Sequence, residues 1–173
     1  QDPSIKGIWC VPKYSNPTGS TYSETAVKRF AMLPKIAGDN FRIMWDNAYA
    51  VHHLTDVPDT LTNLMALARE NDTTDSMVLF GSTSKVTFAG AGISFLGTSR
   101  EKLAAFEQYL SETMIGFDKV NQLRHVLFLK DMTGIAQHMA RHVDLLKPRF
   151  DLTEEILDKH LTGKEIGRWS SPN

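Results

Sequence analysis

Three short runs hold the side chains best able to do chemistry: Asn16-Pro17-Thr18-Gly19, Asp46-Asn47-Ala48-Tyr49 and Ser82-Thr83-Ser84-Lys85. They supply an amide, a carboxylate, a phenol, small hydroxyls and a primary amine. A lysine amine that loses its proton, as desolvation beside a cation favours, can add to a carbonyl and form an imine. A phenol and an amide can both donate to an oxygen that carries developing charge. Serine hydroxyls are short enough to meet an anion closely. Singly the runs are weak, because Asn-Pro-Thr-Gly is a generic turn, Asp46 could cap the next segment, and Lys85 could be one more solvated lysine. Together they are strong, because each follows a β-rich run. All three therefore lie at the carboxyl ends of predicted strands, where open α/β sheets place their ligands.

The elements that must position them follow from the apolar pattern. Strands are predicted at 5–11 (IKGIWCV), 41–45 (FRIMW), 77–80 (MVLF) and 93–96 (ISFL). Ser23 is placed to cap a helix reaching about Ile36, with Val27, Phe30, Ala31 and Leu33 on its apolar face. A second helix follows Pro58 with Leu61, Leu64, Met65, Leu67 and Ala68. Strand–helix alternation with near-continuous apolar strands predicts an α/β fold, a mostly parallel sheet covered on both faces. Trp9, Trp45 and Cys10 are expected in its core. After Ser99, a predicted N-cap, the alternation stops. Leu103, Phe106 and Leu110 mark one helix, and the chain reads as helical from Lys119 almost to Leu161. Pro148 is expected to end or kink that stretch. Asp151 with Glu154 has capping-box spacing, and Gly163 is a natural stop. Residues 1–118 therefore read as part of a sheet domain and 119–173 as connecting helices.

Composition narrows the functions. At 173 residues and 19.4 kDa the chain has the mass of one domain or of a piece of a larger one. Hydrophobic residues at 42% and charged residues at 23% fit a globular protein and exclude wholesale disorder. A net charge of −1 gives no global field for nucleic acid or an anionic membrane. Cys10 is the one cysteine, which excludes an internal disulfide and suits a reducing cytosol. No apolar run approaches the ~20 residues that cross a bilayer, and QDPSIKG lacks the features of a signal peptide. His138 and His142 have zinc-capable spacing but no obvious third ligand, so they are read as solvated or capping. His52 and His53 are read as ordinary packing. Lys130, Arg141, Lys147 and Arg149 interleave with acidic residues as a solvated helix face. Met114, Met132 and Met139 are read as core fillers.

The three runs, in this order, resemble the class I/II aminotransferases, fold-type I enzymes that use pyridoxal 5′-phosphate. The likeness is specific from about Gly7 to Leu96. It implies a three-layer α/β/α sandwich, with residues 1–118 in the large cofactor-binding domain and 119–173 leading into a small one. It assigns Lys85 the covalent bond to the cofactor, Asp46 the pyridine nitrogen, and Asn16 and Tyr49 the 3′-oxygen. It gives Ser82 and Ser84 the phosphate. By residue type, Asp46 would keep the pyridine nitrogen protonated and Lys85 would serve as the base for the proton shift. Ile93 stands where family members commonly place a phosphate-clamping arginine; Gly90 and Gly92 could let backbone amides approach an anion instead.

The family's cofactor-stacking aromatic ring and substrate-carboxylate arginine lie outside the matched segment, and relatives continue past Trp169-Ser170-Ser171-Pro172-Asn173 into a small-domain strand. The chain is therefore expected to be an internal portion of a longer enzyme. The wording around STSK, FAGAGIS and KPRF resembles the bacterial aspartate aminotransferase-like branch. That implies a cytoplasmic homodimer exchanging an amino group between an amino acid, aspartate first, and a 2-oxo acid such as 2-oxoglutarate by a ping-pong route. A lyase of the same fold, acting on a C–S bond or a β-substituent, and the aminotransferase-like half of certain transcription factors are the rival readings.

Overall fold

The computed structural model describes residue 2, residues 4–38 and residues 40–169. The end of the chain read above as leading into a small-domain strand, residues 170–173, lies outside the described residues. Four strands alternate with two helices before a run of three further helices. The strands are β1 (Gly7–Cys10), β2 (Arg42–Asp46), β3 (Met77–Ser82) and β4 (Ser94–Gly97). The helices are α1 (Glu24–Met32), α2 (Leu64–Glu70), α3 (Arg100–Thr113), α4 (Lys119–Leu129) and α5 (Met132–Leu161).

The sheet order is β1-β2-β3-β4. β1, β2 and β3 run parallel, with Cys10 beside Trp45 and Asp46 beside Phe80. β4 returns antiparallel to β3, pairing Ser82 with Ser94. The expected mostly parallel sheet is present, with this reversed edge. Residues 83–93 explain it: they are fewer than the dozen or so residues that a parallel crossover needs, so the chain can only double back.

Period-two burial along β2 puts Ile43 and Trp45 inside and Arg42, Met44 and Asp46 on the other face. Helices α1 and α2 cover the inner face, where Val27, Ala31, Leu64 and Ala68 pack on Ile43, Trp45, Met77 and Cys10. Ser23 caps α1 through the Ala26 amide, and Asn63 caps α2 through the Ala66 amide. The buried hydroxyl of Thr73 donates to the Ala31 carbonyl at 2.7 Å, joining α1 to the turn after α2 without an unpaired polar group. Cys10 is buried as expected, and desolvation raises its thiol pKa, which removes it as a nucleophile. Trp9, also expected inside, is 55% exposed on the opposite face, where it stacks on Phe80 at 5.1 Å between centroids.

The helical half departs from expectation in three places. α5 runs through Pro148 without a break. Asp151 is therefore interior and forms an i, i+4 ion pair with Lys147 at 2.7 Å instead of capping a new helix. Met139 fills a core site, but Met132 and Met114 are exposed. Other expectations hold. Ser99 caps α3 through the Lys102 amide, and Gly163 takes φ +77 just past the end of α5. α4 and α5 meet the sheet domain through a second small core, in which Val86 packs on Leu129 and Met139. No helix of the described residues is long and apolar enough to cross a membrane.

Candidate functional site

Three strand ends set the site. Asp46 is the last residue of β2, and Ser82 the last of β3. Asn16 follows β1 on a loop closed by Ser15 and Ser20, whose backbone N–H and C=O meet at 3.1 Å. The hydroxyls of Ser15, Thr18 and Ser20 bond one another inside that loop, and Gly19 supplies its positive φ of 68°. Asn16 is left exposed on the outside.

The point of convergence is the Tyr49 hydroxyl. Lys85 Nζ donates to it and lies 3.8 Å from the ring centroid, within cation–π range. Asn16 sits near enough to favour the ionised form of the same phenol. The Lys85 hydrogen bond holds the Tyr49 phenol below its ordinary pKa; Asn16 and the lysine charge act in the same direction, while partial burial and the Asp46 charge oppose them. Asp46 Oδ1 accepts the Ala48 N–H at 3.0 Å, which fixes the carboxylate at the head of the turn leading to Tyr49. Residues from three strand ends thus share one locus.

Ser82 and Ser84 form a separate pair. Ser82 Oγ–H donates to Ser84 Oγ at 2.8 Å, and the Ser84 amide returns to Ser82 Oγ at 3.0 Å. Gly92 lies against them: a Cβ there would come within 2.4 Å of Ser84 Oγ and 2.6 Å of its backbone nitrogen. The missing side chain of Gly92 therefore admits Ser84, and Gly90, at φ +80, turns the chain. Ile93 contributes through its backbone, donating N–H to Thr83 Oγ1 at 2.8 Å and accepting the Thr83 N–H at 2.9 Å.

A cleft of about 800 Å³ opens beside this locus, lined by Asn16, Tyr49 and His52 from the sheet side and by Leu146, Phe150 and Trp169 from the helical side. That volume suits a small-molecule ligand. Asp46, Ser82, Ser84 and Lys85 are not among its lining residues, so Asn16 and Tyr49 form the border between cleft and lysine.

The structure also recruits residues that the sequence reading passed over. His52, read as packing, donates Nε2–H to the Lys85 carbonyl at 3.0 Å. His138, read as solvated or capping, is half-buried and reaches the Val86 carbonyl at 2.7 Å. Among the described residues no His/Cys/Asp/Glu group could hold a metal ion. Tyr14 lines the cleft; its hydroxyl accepts the Asp59 N–H and meets His53 Nδ1 at 2.9 Å. Burial, then the Lys13 and His52 charges, lower the His53 pKa against the pull of Asp59. For Tyr14, His52 and His53 the one sequence signal was nearness to the runs at 16–19 and 46–49; His138 had none, since its partner is a backbone carbonyl brought near by folding.

Comparisons with known proteins identify the family. A sequence profile described as aspartate amino-transferase matches residues 1–173. A Mycolicibacterium smegmatis protein named as an aminotransferase is 48% identical over 171 residues, covering 99% of this chain and 40% of that protein. The aspartate aminotransferase of Corynebacterium glutamicum is 40% identical over 172 residues, again covering 99% of this chain and 40% of that protein. The crystal structure of an aspartate transaminase from the same organism superposes with a TM-score of 0.93, covering 99% of this chain and 40% of that one. The α-aminoadipate aminotransferase of Thermus thermophilus, solved with N-(5′-phosphopyridoxyl)-L-leucine, shares the fold at a TM-score of 0.75 and 24% identity, over 95% of this chain and 40% of that one. The chain spans about 40% of the length of the curated relatives it matches. With its whole length matched by the profile and its strand ends meeting at Tyr49, the chain belongs to the aspartate aminotransferase family.

Proposed function

We propose that this chain carries the cofactor-holding portion of a pyridoxal 5′-phosphate-dependent aminotransferase. The enzyme would move an amino group between an L-amino acid, aspartate first, and a 2-oxo acid such as 2-oxoglutarate, in the two halves of a ping-pong exchange. One observation carries the reading: the Lys85 amine meets the Tyr49 phenol, with Asn16 beside that phenol and the Asp46 carboxylate at the neighbouring strand end. The aspartate specificity rests on the 40% identical relative named for that activity.

The donor set fits the cofactor. Lys85 would hold it through its amine, Asn16 and Tyr49 would donate to its 3′-oxygen, and Asp46 would keep its ring nitrogen protonated. The hydroxyls of Ser82 and Ser84, already turned toward each other, would share its phosphate. When bound, the protonated pyridine serves as the electron sink for the substrate's Cα. Lys85 Nζ would be the base that carries the proton between the two carbons that exchange it. Tyr49, hydrogen-bonded to that nitrogen, orients it.

Residues 1–118 would then belong to the large domain and 119–173 to the helices that join it to a small one, in a homodimer. The buried, lone Cys10 suits a cytoplasmic setting.

Full-length protein with and without Lys85→Ala tests the assignment. Borohydride should fix the cofactor to the Lys85 peptide of the wild type, read by mass, and to no peptide of the variant. Label on another lysine would overturn it. Asp46→Ala should retain cofactor yet lose turnover by on the order of a hundredfold or more. Pyruvate and ammonia formed without an oxo-acid acceptor would reassign the enzyme as a lyase.

A further inference from the structure

Residues 83–87 form one isolated turn, in which the Val86 and Thr87 amides both return to the Thr83 carbonyl, at 2.9 and 2.8 Å. An isolated turn leaves its later carbonyls without internal donor partners. Here imidazoles supply the donors. His52, from the segment after Tyr49, donates Nε2–H to the Lys85 carbonyl at 3.0 Å. His138, on α5, donates Nε2–H to the Val86 carbonyl at 2.7 Å. A carbonyl only accepts, so both rings carry their proton on Nε2.

A third histidine approaches from α4. His125 donates Nδ1–H to the Asn121 carbonyl at 2.9 Å, which aims Nε2 at the hydroxyls of Thr83 and Thr87, each 3.0 Å away. The Thr87 hydroxyl donates to the Thr83 carbonyl at 3.1 Å, and Thr83 Oγ1 accepts the Ile93 N–H. The Thr83 proton is left for His125. The Val86 side chain is buried against Leu129 and Met139, so the turn is also anchored apolarly. All three imidazoles are half-buried.

We propose that His52, His125 and His138, from three separate elements, clamp the 83–87 turn and thereby position the Lys85 amine against Tyr49. They are positioning residues. A lysine side chain has many rotamers, so its amine is only as well placed as the backbone that carries it. A displacement of about 1 Å at a reacting atom can cost on the order of a hundredfold in rate. The catalytic consequence rests on the reading of Lys85 given above; the clamp itself is a property of the protein without cofactor.

The test uses both forms of full-length protein. In the cofactor-free form, NMR of ring-labelled tyrosine, assigned with Tyr49→Phe, follows the Tyr49 ionisation, which reports contact with Lys85 Nζ. His125→Ala and His138→Ala are the informative variants, because His52 touches the Tyr49 ring directly. Each should move the Tyr49 titration upward toward that of a free phenol and slow capture of pyridoxal 5′-phosphate at Lys85 about tenfold. His138→Gln, which keeps a donor, should restore both. Should an alanine variant fail to fold, Thr87→Val removes one hydroxyl facing His125 and should give a smaller shift of the same sign. Folded variants with wild-type titration and capture would overturn the clamp and leave the cofactor assignment standing. A wild type that captures nothing at Lys85, in variants of which Tyr49 still moves, would retain the clamp and overturn the assignment.

Discussion

Tyr49 is the residue that Lys85 meets, and its acidity follows chiefly from that contact. An isolated tyrosine titrates near pH ~10. The Lys85 hydrogen bond lowers the folded-state value, whereas burial raises those of Tyr14 and Tyr22. In the cofactor-free protein Tyr49 should therefore ionise before Tyr14 and Tyr22 as the pH rises, read by ultraviolet difference absorbance. Lys85→Ala should abolish the early step; an unchanged titration would show that the amine is not where the structure places it. A lowered pKa stabilises the fold fully only above the unfolded value and loses that contribution as the pH falls through the folded one. The ionisation-linked contribution of the Tyr49–Lys85 contact is therefore largest in alkaline solution and fades as the pH falls.

At the scale of elements, the lysine turn and the returning strand β4 fit together through Gly92. A Cβ at that position would overlap the Ser84 backbone as well as its hydroxyl, and backbone cannot swing aside. Gly92→Ala should cost about 1–3 kcal/mol in urea denaturation and weaken phosphate retention, seen as faster cofactor loss on dialysis. An alanine that left both unchanged would mean that the loop repacks freely. The parallel strands were legible in the sequence because IKGIWCV, FRIMW and MVLF are short apolar runs, although in β1 only Cys10 is buried, and the runs after them place Asn16, Asp46 and Lys85. The reversal of β4 was readable too, had the shortness of 83–93 been weighed. Pro148 misled because the loss of one helix hydrogen bond is tolerable where Pro148 and Asp144 are both exposed, so that water can meet the unpaired carbonyl. The histidines were illegible for another reason. They bind backbone carbonyls and hydroxyls brought near by folding, and no spacing between side chains encodes that.

Over the whole molecule, apolar side chains are unevenly placed. Ile115, Phe117, Leu123, Val126, Leu127 and Phe128 are exposed along the segment from the end of α3 through α4. Exposed apolar side chains at this density favour association. The 173-residue polypeptide, prepared alone, should self-associate and bind an apolar dye, more so in sulfate salts, as judged by light scattering and fluorescence. A monodisperse monomer without dye binding would contradict this. One further consequence comes from the paired bonds between Thr83 and Ile93. They tie the two feet of the Lys85 loop to each other, so the base of the loop is closed independently of its crest near Gly90. A residue inserted beside Gly90, where nothing stands within 4 Å of an added Cβ, should lengthen the loop yet leave its base in register. The chain can therefore vary at the crest of this loop while the lysine keeps its station.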